Sequence, residues 1–490
     1  MSDTIERLDL GALLDRAIRE WGRPKHVRAV LVKGSAGLTG IVPLGGDLDL
    51  LIVTDTRPAG EWFVELRVED VPVEIFVRDE DSLRDREEIL RHQSLAIELV
   101  DNLHIHDPNG ILASAREAVR PRLVDSEFVL ARALASLAGA KESLTRARLT
   151  EELGHSEDAA RDLSICLWHG AAAVASAAGL KPTTRRCLVL WAEVAERFGC
   201  ADQLRLLEMI GRPPLDPSTR THLVQRLATG DDRVAAAVEG MVTAGEERWI
   251  GWPLVRSVLW EPVADRHGTD VRAEVLRASG WTAAGISERL AATAELLRHL
   301  EASIPQLEAA AARQRRGRPS EIDVRDATEA DIPQLVALKG AGSDTLHRDR
   351  VRDARRGGFR YLVAARRDEV IGFGCLVFER PAYWSDGADR TRLPQLVDLR
   401  IAEAERARGH GTHLIRTMEA LAGSAGFRDV HVSVGIENGR ARALYRRLGY
   451  REVANVPRYV SWSFEDSTGT LHSGDDRLID MVRPVDRFGR

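Results

Sequence analysis

The sequence predicts a multidomain α+β protein in which two α/β segments flank an all-α region, and three observations predict it. Between Arg28 and about Pro121, the short β-branched runs RAVLVKG, LDLLIV and VPVEIFV alternate with helical stretches and are bounded by Gly, Asp and Pro. From Asp125 to about Arg313 strand signals vanish, and stretches such as EFVLARALASLAGAKESLTRARLTEELG carry apolar residues at helical spacing. A basic, Pro/Gly-containing stretch from Gln314 to Ser320 then breaks the pattern, and IDVRDATEADIPQLVALKG opens a new strand-then-helix alternation.

A chain of 490 residues exceeds one hydrophobic core, and a prior of ~150 residues per domain gives about three. The expected divisions are 1–124, 125–312, a linker over 313–320, and 321–490. With a net charge of -6 the protein has no field to concentrate nucleic acid or an anionic membrane, whereas a cationic substrate is mildly attracted. Cys166, Cys187, Cys200 and Cys375 form no C-x-x-C pair and no Cys/His metal spacing, and read as small hydrophobes in a reducing compartment. The first residues, MSDTIERLDLGALLDRAIREWG, pattern as an amphipathic helix rather than a leader. No run approaches the ~20 apolar residues of a membrane span. A cytoplasmic protein without a membrane partner is the expectation, and the charge leans against nucleic acid as a partner.

In the first α/β segment, Asp47 and Asp49 sit two apart on a strand, on one face, while Leu48, Leu50 and Ile52 turn into the core. Glu74 stands between Val73 and Ile75 on what should be a neighbouring strand. Upstream, Gly34 permits close backbone approach and Ser35 offers a hydroxyl and an N–H to a phosphate. One D-x-D alone would read as solvated turn acids; the Gly-Ser before it and the Glu after it argue for a divalent-ion site.

These residues resemble the polymerase-β-type nucleotidyltransferases, whose pattern is hydrophobic-Gly-Ser, then D-h-D-h, then an isolated h-D/E-h; the likeness covers about residues 25–121. The resemblance implies a nucleotidyltransferase α/β domain in which Asp47, Asp49 and Glu74 are catalytic and bind Mg2+, while Gly34 and Ser35 contact a nucleoside triphosphate, ATP being the first candidate. Gly46 stands where the family usually has Ser. Helical domains joined to this module in antibiotic-modifying members close over the acceptor and supply a base. Glu151, Glu152 and Glu157 are candidates for it, and Lys141 for a phosphate contact, although surface acids and bases abound on exposed helices.

The last segment reads as strand (Tyr361 to Ala365), strand (Val370 to Phe378), an extended loop (Pro381 to Pro394), strand (Gln395 to Ile401), Gly-rich turn, helix (Thr412 to Ala425), strand (Asp429 to Val434) and helix (Gly439 to Leu448), then a hairpin. The turn Arg406-Ala407-Arg408-Gly409-His410-Gly411-Thr412 lies between a strand and a helix, where converging N–H groups and the helix dipole favour a diphosphate.

That turn resembles the Q/R-x-x-G-x-G/A motif of the GCN5-related N-acetyltransferases (GNAT), and the run from Asn438 through Ala441, Leu444 and Tyr445 to Gly449-Tyr450 resembles the same family's N-x-x-A-x-x-L-Y-x-x-x-G-F/Y. With VRDATEADIPQL and LVAARRDEVIGFG as its opening strands, the likeness spans Ile322 to Val485. It implies a GNAT α/β domain binding acetyl-CoA through Ile401, Arg406, Arg408, Gly409, His410, Gly411 and Thr412. Asn438 would orient the pantetheine arm and Tyr445 would protonate the leaving thiolate. The Glu that serves some members as general base falls at Gln395 here, which takes no proton. Asp398 and Glu403 are nearby substitutes, a water relay or an already neutral amine are others, and Asp398 is entered as the catalytic candidate. Tyr383, Trp384, Asp386 and Asp389 in the extended loop are candidates for an acceptor wall.

Together the resemblances imply a bifunctional transferase that caps a hydroxyl with a nucleotide and an amine with an acetyl group, on an aminoglycoside-like antibiotic or a related small molecule. A tailoring enzyme of secondary metabolism is an alternative. So is a toxin-like or regulatory enzyme acting on tRNA or protein, for which Arg313 to Arg318 would have to supply a basic surface.

Overall fold

Five strands, β1 (Val27–Val32), β2 (Leu48–Thr54), β3 (Phe63–Val68), β4 (Val71–Asp79) and β5 (His104–His106), form the first sheet in the order β3-β4-β2-β1-β5. β2 runs parallel to β4, with Asp49 opposite Glu74 and Leu51 opposite Phe76. Leu48, Leu50, Ile52 and Ile75 on one face are completely buried, as strand alternation predicts. On the other face Leu51 and Val53 join Ile89, Leu90 and Phe128 in one core. The sequence reading has no counterpart for β3, whose run FVELRV carries Glu65 and Arg67 on a half-buried edge strand and so lacks a clean apolar signal.

Phe128 belongs to the Ser126–Glu152 helix, which opens the helical region. The buried Arg132 on the same helix donates to Leu90 O and Leu123 O, both at 2.6 Å. The Ser156–Ala178 helix follows after a short turn; its buried run Ala171 to Ala175 offers little side-chain bulk and lets neighbours approach closely. A third long helix, Ala283–Arg316, continues into the expected linker, so helical structure ends at 316 or later rather than at 313. Among the described residues no helix is long and apolar enough to cross a membrane.

The second sheet contains β6 (Asp323–Asp326), β7 (Phe359–Arg366), β8 (Glu369–Val377), β9 (Gln395–Ile401), β10 (Asp429–Gly435), β11 (Arg451–Glu452), β12 (Arg458–Glu465) and β13 (Leu471–Pro484). Its order is β11-β13-β10-β9-β8-β7-β6, with β12 paired to β13. One face packs Leu414, Ile415 and Met418 of the His410–Ser424 helix against Val430, Val432 and Leu396. The other packs Ile332, Leu335 and Val351 against Tyr361, Val363 and Phe373. Helices on both faces of a mixed sheet are the α/β arrangement expected.

The computed structural model describes residues 10–39, 42, 47–56, 63–69, 71–102, 104–180, 182, 187–211, 215–228, 238, 241–242, 246–259, 269–316, 322–340, 342–354, 358–367, 369–378, 393–425, 427–453, 457–465 and 471–485. Tyr383, Trp384, Asp386 and Asp389 lie outside them. Two compact units result: one of residues in 17–31 and 43–318, the other of residues in 1–16, 32–42 and 319–490. Residues 32–42 enter the second unit through contacts such as Gly358 N–H donating to Thr39 O at 3.0 Å. The four cysteines are free thiols, three buried and Cys200 half-buried.

Candidate functional site

In the first unit, ladder register assembles the acidic cluster. Asp47 immediately precedes β2, Asp49 lies on it, and the parallel pairing sets Glu74 beside Asp49. Carboxylate oxygens of Asp47, Asp49 and Glu74 all lie within 4.8 Å of one another, and all three residues are half-buried. Three anions this close repel one another unless a cation joins them. The donor set suits a hard divalent ion such as Mg2+, on which two oxygens stand at most about 4.2 Å apart.

Sequence reasoning missed a fourth acid. Glu65 pairs directly with Glu74 across β3 and β4, so Asp49, Glu74 and Glu65 form one row on one face of the sheet. Gly34 begins the short Gly34–Thr39 helix with φ of 65°, a conformation that favours glycine. Gly34 and Ser35 are grouped in the other compact unit.

The helical candidates for a base do not gather at the acids. Glu151 and Glu152 stand 23 and 24 residues beyond Phe128 on one helix, about 35 Å along its axis at 1.5 Å per residue. Phe128 is the helix residue packed in the core with Leu51, so the far end of that helix is remote from β2. Glu151 accepts from Ser287, Glu157 pairs with Arg272, and Lys141 pairs with Glu301 at 2.7 Å. Glu151, Glu157 and Lys141 thus brace helices against one another, as ordinary acids and bases on exposed helices do.

In the second unit, backbone assembles the site. β9 and β10 pair in parallel at two positions only, Gln395 with His431 and Leu396 with Val432, and then part, although β9 continues to Ile401 and β10 to Gly435. The gap leaves extended backbone on both sides for an extended ligand to lie between. A bulge at Asp398, with φ of 48°, bends β9 at the same place, and the β8–β9 register shifts there. Gly372 faces the kinked strand closely: a Cβ there would come within 2.7 Å of Arg400 O.

After β9, Ala407 (φ 64°) and Gly409 (φ 87°) turn the chain into the His410–Ser424 helix, whose N-cap Gly409 provides no capping side chain. The first N–H groups of a helix have no partner within it, so those of His410, Gly411 and Thr412 suit an anion. A Cβ on Gly409 would meet nothing within 4 Å, so the turn is open at that point.

The charged side chains of the turn mostly hold it in shape. Glu405 accepts two bonds from Arg366, at 3.1 and 2.8 Å, and lies 3.3 Å from His410 Nε2 and 3.6 Å from Arg408 Nη1. Arg366 holds the Glu405 carboxyl below its ordinary range. Arg406 Nε donates to Ile401 O at 3.1 Å. Arg366, on β7, went unrecognised in the sequence because its partner lies 39 residues away.

Tyr445 is buried, with its ring edge-on to Tyr450 at 5.1 Å. Burial, followed by the charge of Glu419, raises its phenol above the ordinary value, so it keeps its proton at neutral pH. Asn438 caps the Gly439–Arg447 helix that carries Tyr445, its Oδ1 accepting from Ala441 N–H at 3.1 Å.

Asp398 is unsuited to be the base. Lys339 Nζ reaches its Oδ2 at 2.6 Å and Arg350 Nη1 at 2.7 Å. Burial alone would raise its pKa; the two cations outweigh it and hold the carboxyl well below the usual range. Gln395 is buried and donates to Ser433 Oγ at 3.2 Å. Glu403 is exposed and stands 3.9 Å from Arg406. Ser433 in turn donates to Asp480 at 2.7 Å, continuing a polar network from Gln395 across β10 to β13 that sequence inspection does not reveal.

Comparison with known proteins bears on the C-terminal segment. No curated protein matches the chain. Among solved structures, a GCN5-related N-acetyltransferase from Kribbella flavida is 26% identical over 34% of this chain and 99% of its own, with a TM-score of 0.25. A ribosomal-protein-alanine N-acetyltransferase from Brucella melitensis is 20% identical over 33% of this chain and 99% of its own, with a TM-score of 0.25. A spermidine N-acetyltransferase from Vibrio cholerae, in complex with CoA and spermine, is 14% identical over 34% and 98%, with a TM-score of 0.26. Residues 325–450 match the model of the acetyltransferase (GNAT) family, and the C-terminal part of this protein is a GNAT acetyltransferase domain.

Proposed function

We propose that the protein is a bifunctional transferase: its C-terminal domain moves an acetyl group from acetyl-CoA to an amine, and its N-terminal sheet moves a nucleotidyl group, ATP being the first donor to test, to a hydroxyl. The acetyl half is supported by the family match and by the parting of β9 and β10 beside an uncapped helix N-terminus. The amine nitrogen attacks the thioester carbonyl carbon, the C–S bond breaks, and the departing thiolate takes the phenolic proton that burial keeps on Tyr445, while the proton shed by the acylated nitrogen passes to water, from which the tyrosinate is reprotonated. N–H groups around Gly409, Gly411 and Thr412 hold the pyrophosphate of the donor, and Asn438 is assigned to the pantetheine arm on the family pattern.

The convergence of Asp47, Asp49 and Glu74 is the observation that carries the nucleotidyl half. Bound there, Mg2+ would neutralise charge on the phosphates in the transition state. The three carboxylates would hold it in place. The acceptor class is a small hydrophilic molecule bearing a hydroxyl and an amine, of which an aminoglycoside-like antibiotic is one; resistance or metabolite tailoring in a reducing, cytoplasmic setting fits four free thiols.

The test is to incubate the protein with acetyl-CoA, Mg-ATP and a panel of amino-sugars, amines and tRNA, following pyrophosphate and thiol release separately. EDTA should stop the first signal and spare the second. Loss of both together, or pyrophosphate release that survives EDTA, overturns the two-site reading.

A further inference from the structure

Two cations, Lys339 and Arg350, meet one carboxylate where β9 bulges, and a third, Arg400, follows on the same strand. Lys339 and Arg350 both bond to Asp398 Oδ2, at 2.6 and 2.7 Å. Two residues further, Arg400 Nη1 donates to Leu338 O at 3.2 Å and lies 3.4 Å from Lys339 O, at the end of the Ile332–Lys339 helix. Among the described residues, Asp398 is the one carboxylate paired with any of the three. Arg350 is 7% exposed, and its buried Nε finds no partner. His347, whose Nδ1 lies 2.6 Å from Tyr361 Oη, adds no charge at neutral pH, because burial, then Arg350 and Lys339, push its imidazole down to about 4.

The cluster therefore holds positive charge in excess of its one anion, in surroundings where unpaired charge is costly. The side chains of Lys339 and Asp398 are each 22% exposed, so that edge of the cluster meets solvent while Arg350 lies behind it. It also has a place in the chemistry: Asp398 lies two residues beyond Leu396, the last β9 residue paired with β10. A carboxylate fits what is missing. Asp398 takes one donor of Lys339 and Nη1 of Arg350, and Lys339, the more exposed of the two cations, has further ammonium donors to offer a second carboxylate.

Resting on the acetyl-transfer reading, we propose that the amine this domain acetylates also carries a carboxylate, which Lys339 and Arg350 receive beside the gap between β9 and β10. An amino-carboxylate, such as an amino acid or an acidic amino-sugar, then fits the acetyl site better than a polycationic aminoglycoside. Asp398 spaces and orients the two cations rather than accepting a proton.

The experiment measures thiol release from acetyl-CoA with matched acceptors: L-phenylalanine, L-methionine, L-glutamate and muramic acid, each beside the same molecule with its α- or lactyl carboxylate removed or amidated, with spermidine and kanamycin as polycations. The carboxylate member of at least one pair should have kcat/KM higher by about tenfold or more, the scale of a charge-assisted bond. Lys339→Gln should erase that ratio mainly through KM, while affinity for acetyl-CoA, measured by calorimetry, stays as in the wild type. Arg350→Lys should retain part of the ratio. If acetyl-CoA binds yet only uncharged or polycationic amines react, or no carboxylate member reacts, or Lys339→Gln leaves the ratio intact, the proposal is overturned. If acetyl-CoA itself does not bind, the acetyl-transfer reading falls, and this proposal with it.

Discussion

The two sites are built in opposite ways. At the N-terminal sheet, like-charged side chains converge: a parallel ladder sets Asp49 beside Glu74, with Asp47 one step before the strand, and the three carboxylates gather half-open to water. At the C-terminal sheet, the reactive surface is backbone, and the charged side chains, Glu405 with Arg366 and Asp398 with Lys339 and Arg350, support it. The difference teaches where to cut. Carboxylate substitutions should be severe in the first site, whereas the second should be sensitive to strand shape and to one buried phenol.

The largest effect is expected at Asp47. Asp47→Asn should lower pyrophosphate release about a thousandfold, the scale on which removal of a preorganised electrostatic partner acts. Thiol release should not change. A parallel fall in thiol release would show that the two sites are not built independently and would break the comparison at its root.

Next comes Tyr445→Phe, which removes the proton held by the buried phenol while keeping the ring packed on Tyr450. Thiol release should drop about a hundredfold, within the range of general acid catalysis, with acetyl-CoA affinity unchanged. An unaltered rate would remove Tyr445 as the acid and leave a site made of backbone alone.

How far each site was legible follows from the same contrast. Asp47, Asp49 and Glu74 could be read because strand alternation places alternate residues on one face, and isolated acids among Leu, Val and Ile stand out. Gly409 and Tyr445 could be read because both lie in contiguous motifs. Glu65 was hidden in FVELRV, where polar residues blur the strand signal and the pairing with Glu74 depends on an unseen register. Lys339 and Arg350 lie 59 and 48 residues from Asp398, so nothing local in the sequence warns that Asp398 is neutralised. The same distance made Asp398 look like an available base. Helix length, rather than composition, sets Glu151 and Glu152 about 35 Å along the helix axis from Phe128.

A smaller effect sharpens the claim that strand shape matters in the second site. Gly372→Ala would set a Cβ within 2.7 Å of Arg400 O on the kinked β9, a backbone atom with little room to give. The expected cost is about 1–3 kcal/mol of stability, seen as a lower urea midpoint for thiol-releasing activity while pyrophosphate release keeps its wild-type midpoint. Equal shifts in both activities would mean that the kink is not specific to the acetyl site.

The smallest effect concerns pH, and again the two sites should differ. His347, on the Asp344–Ala354 helix, is fully buried against the acetyltransferase sheet, and its imidazole is pushed down to about 4 in the folded protein, from an ordinary value of 6.5. Between those values the unfolded chain binds the proton and the folded chain does not, so stability rises with pH across the window. The contribution is complete above about pH 6.5 and is lost as pH falls towards 4. Asp398 works in the same direction but lower, because its depressed carboxyl gives up stability only below the ordinary carboxylate range. Lowering the pH from 7.5 to 5 should therefore cost the strands at 359–377 about 2 kcal/mol, read by hydrogen exchange. His347→Gln should flatten that loss, because glutamine does not titrate and so removes the proton-binding difference at this position. The strands at 48–79, where no buried histidine is described, should not share the effect of the substitution. An identical loss in the His347→Gln protein would mean that some other group in the C-terminal sheet titrates in this range.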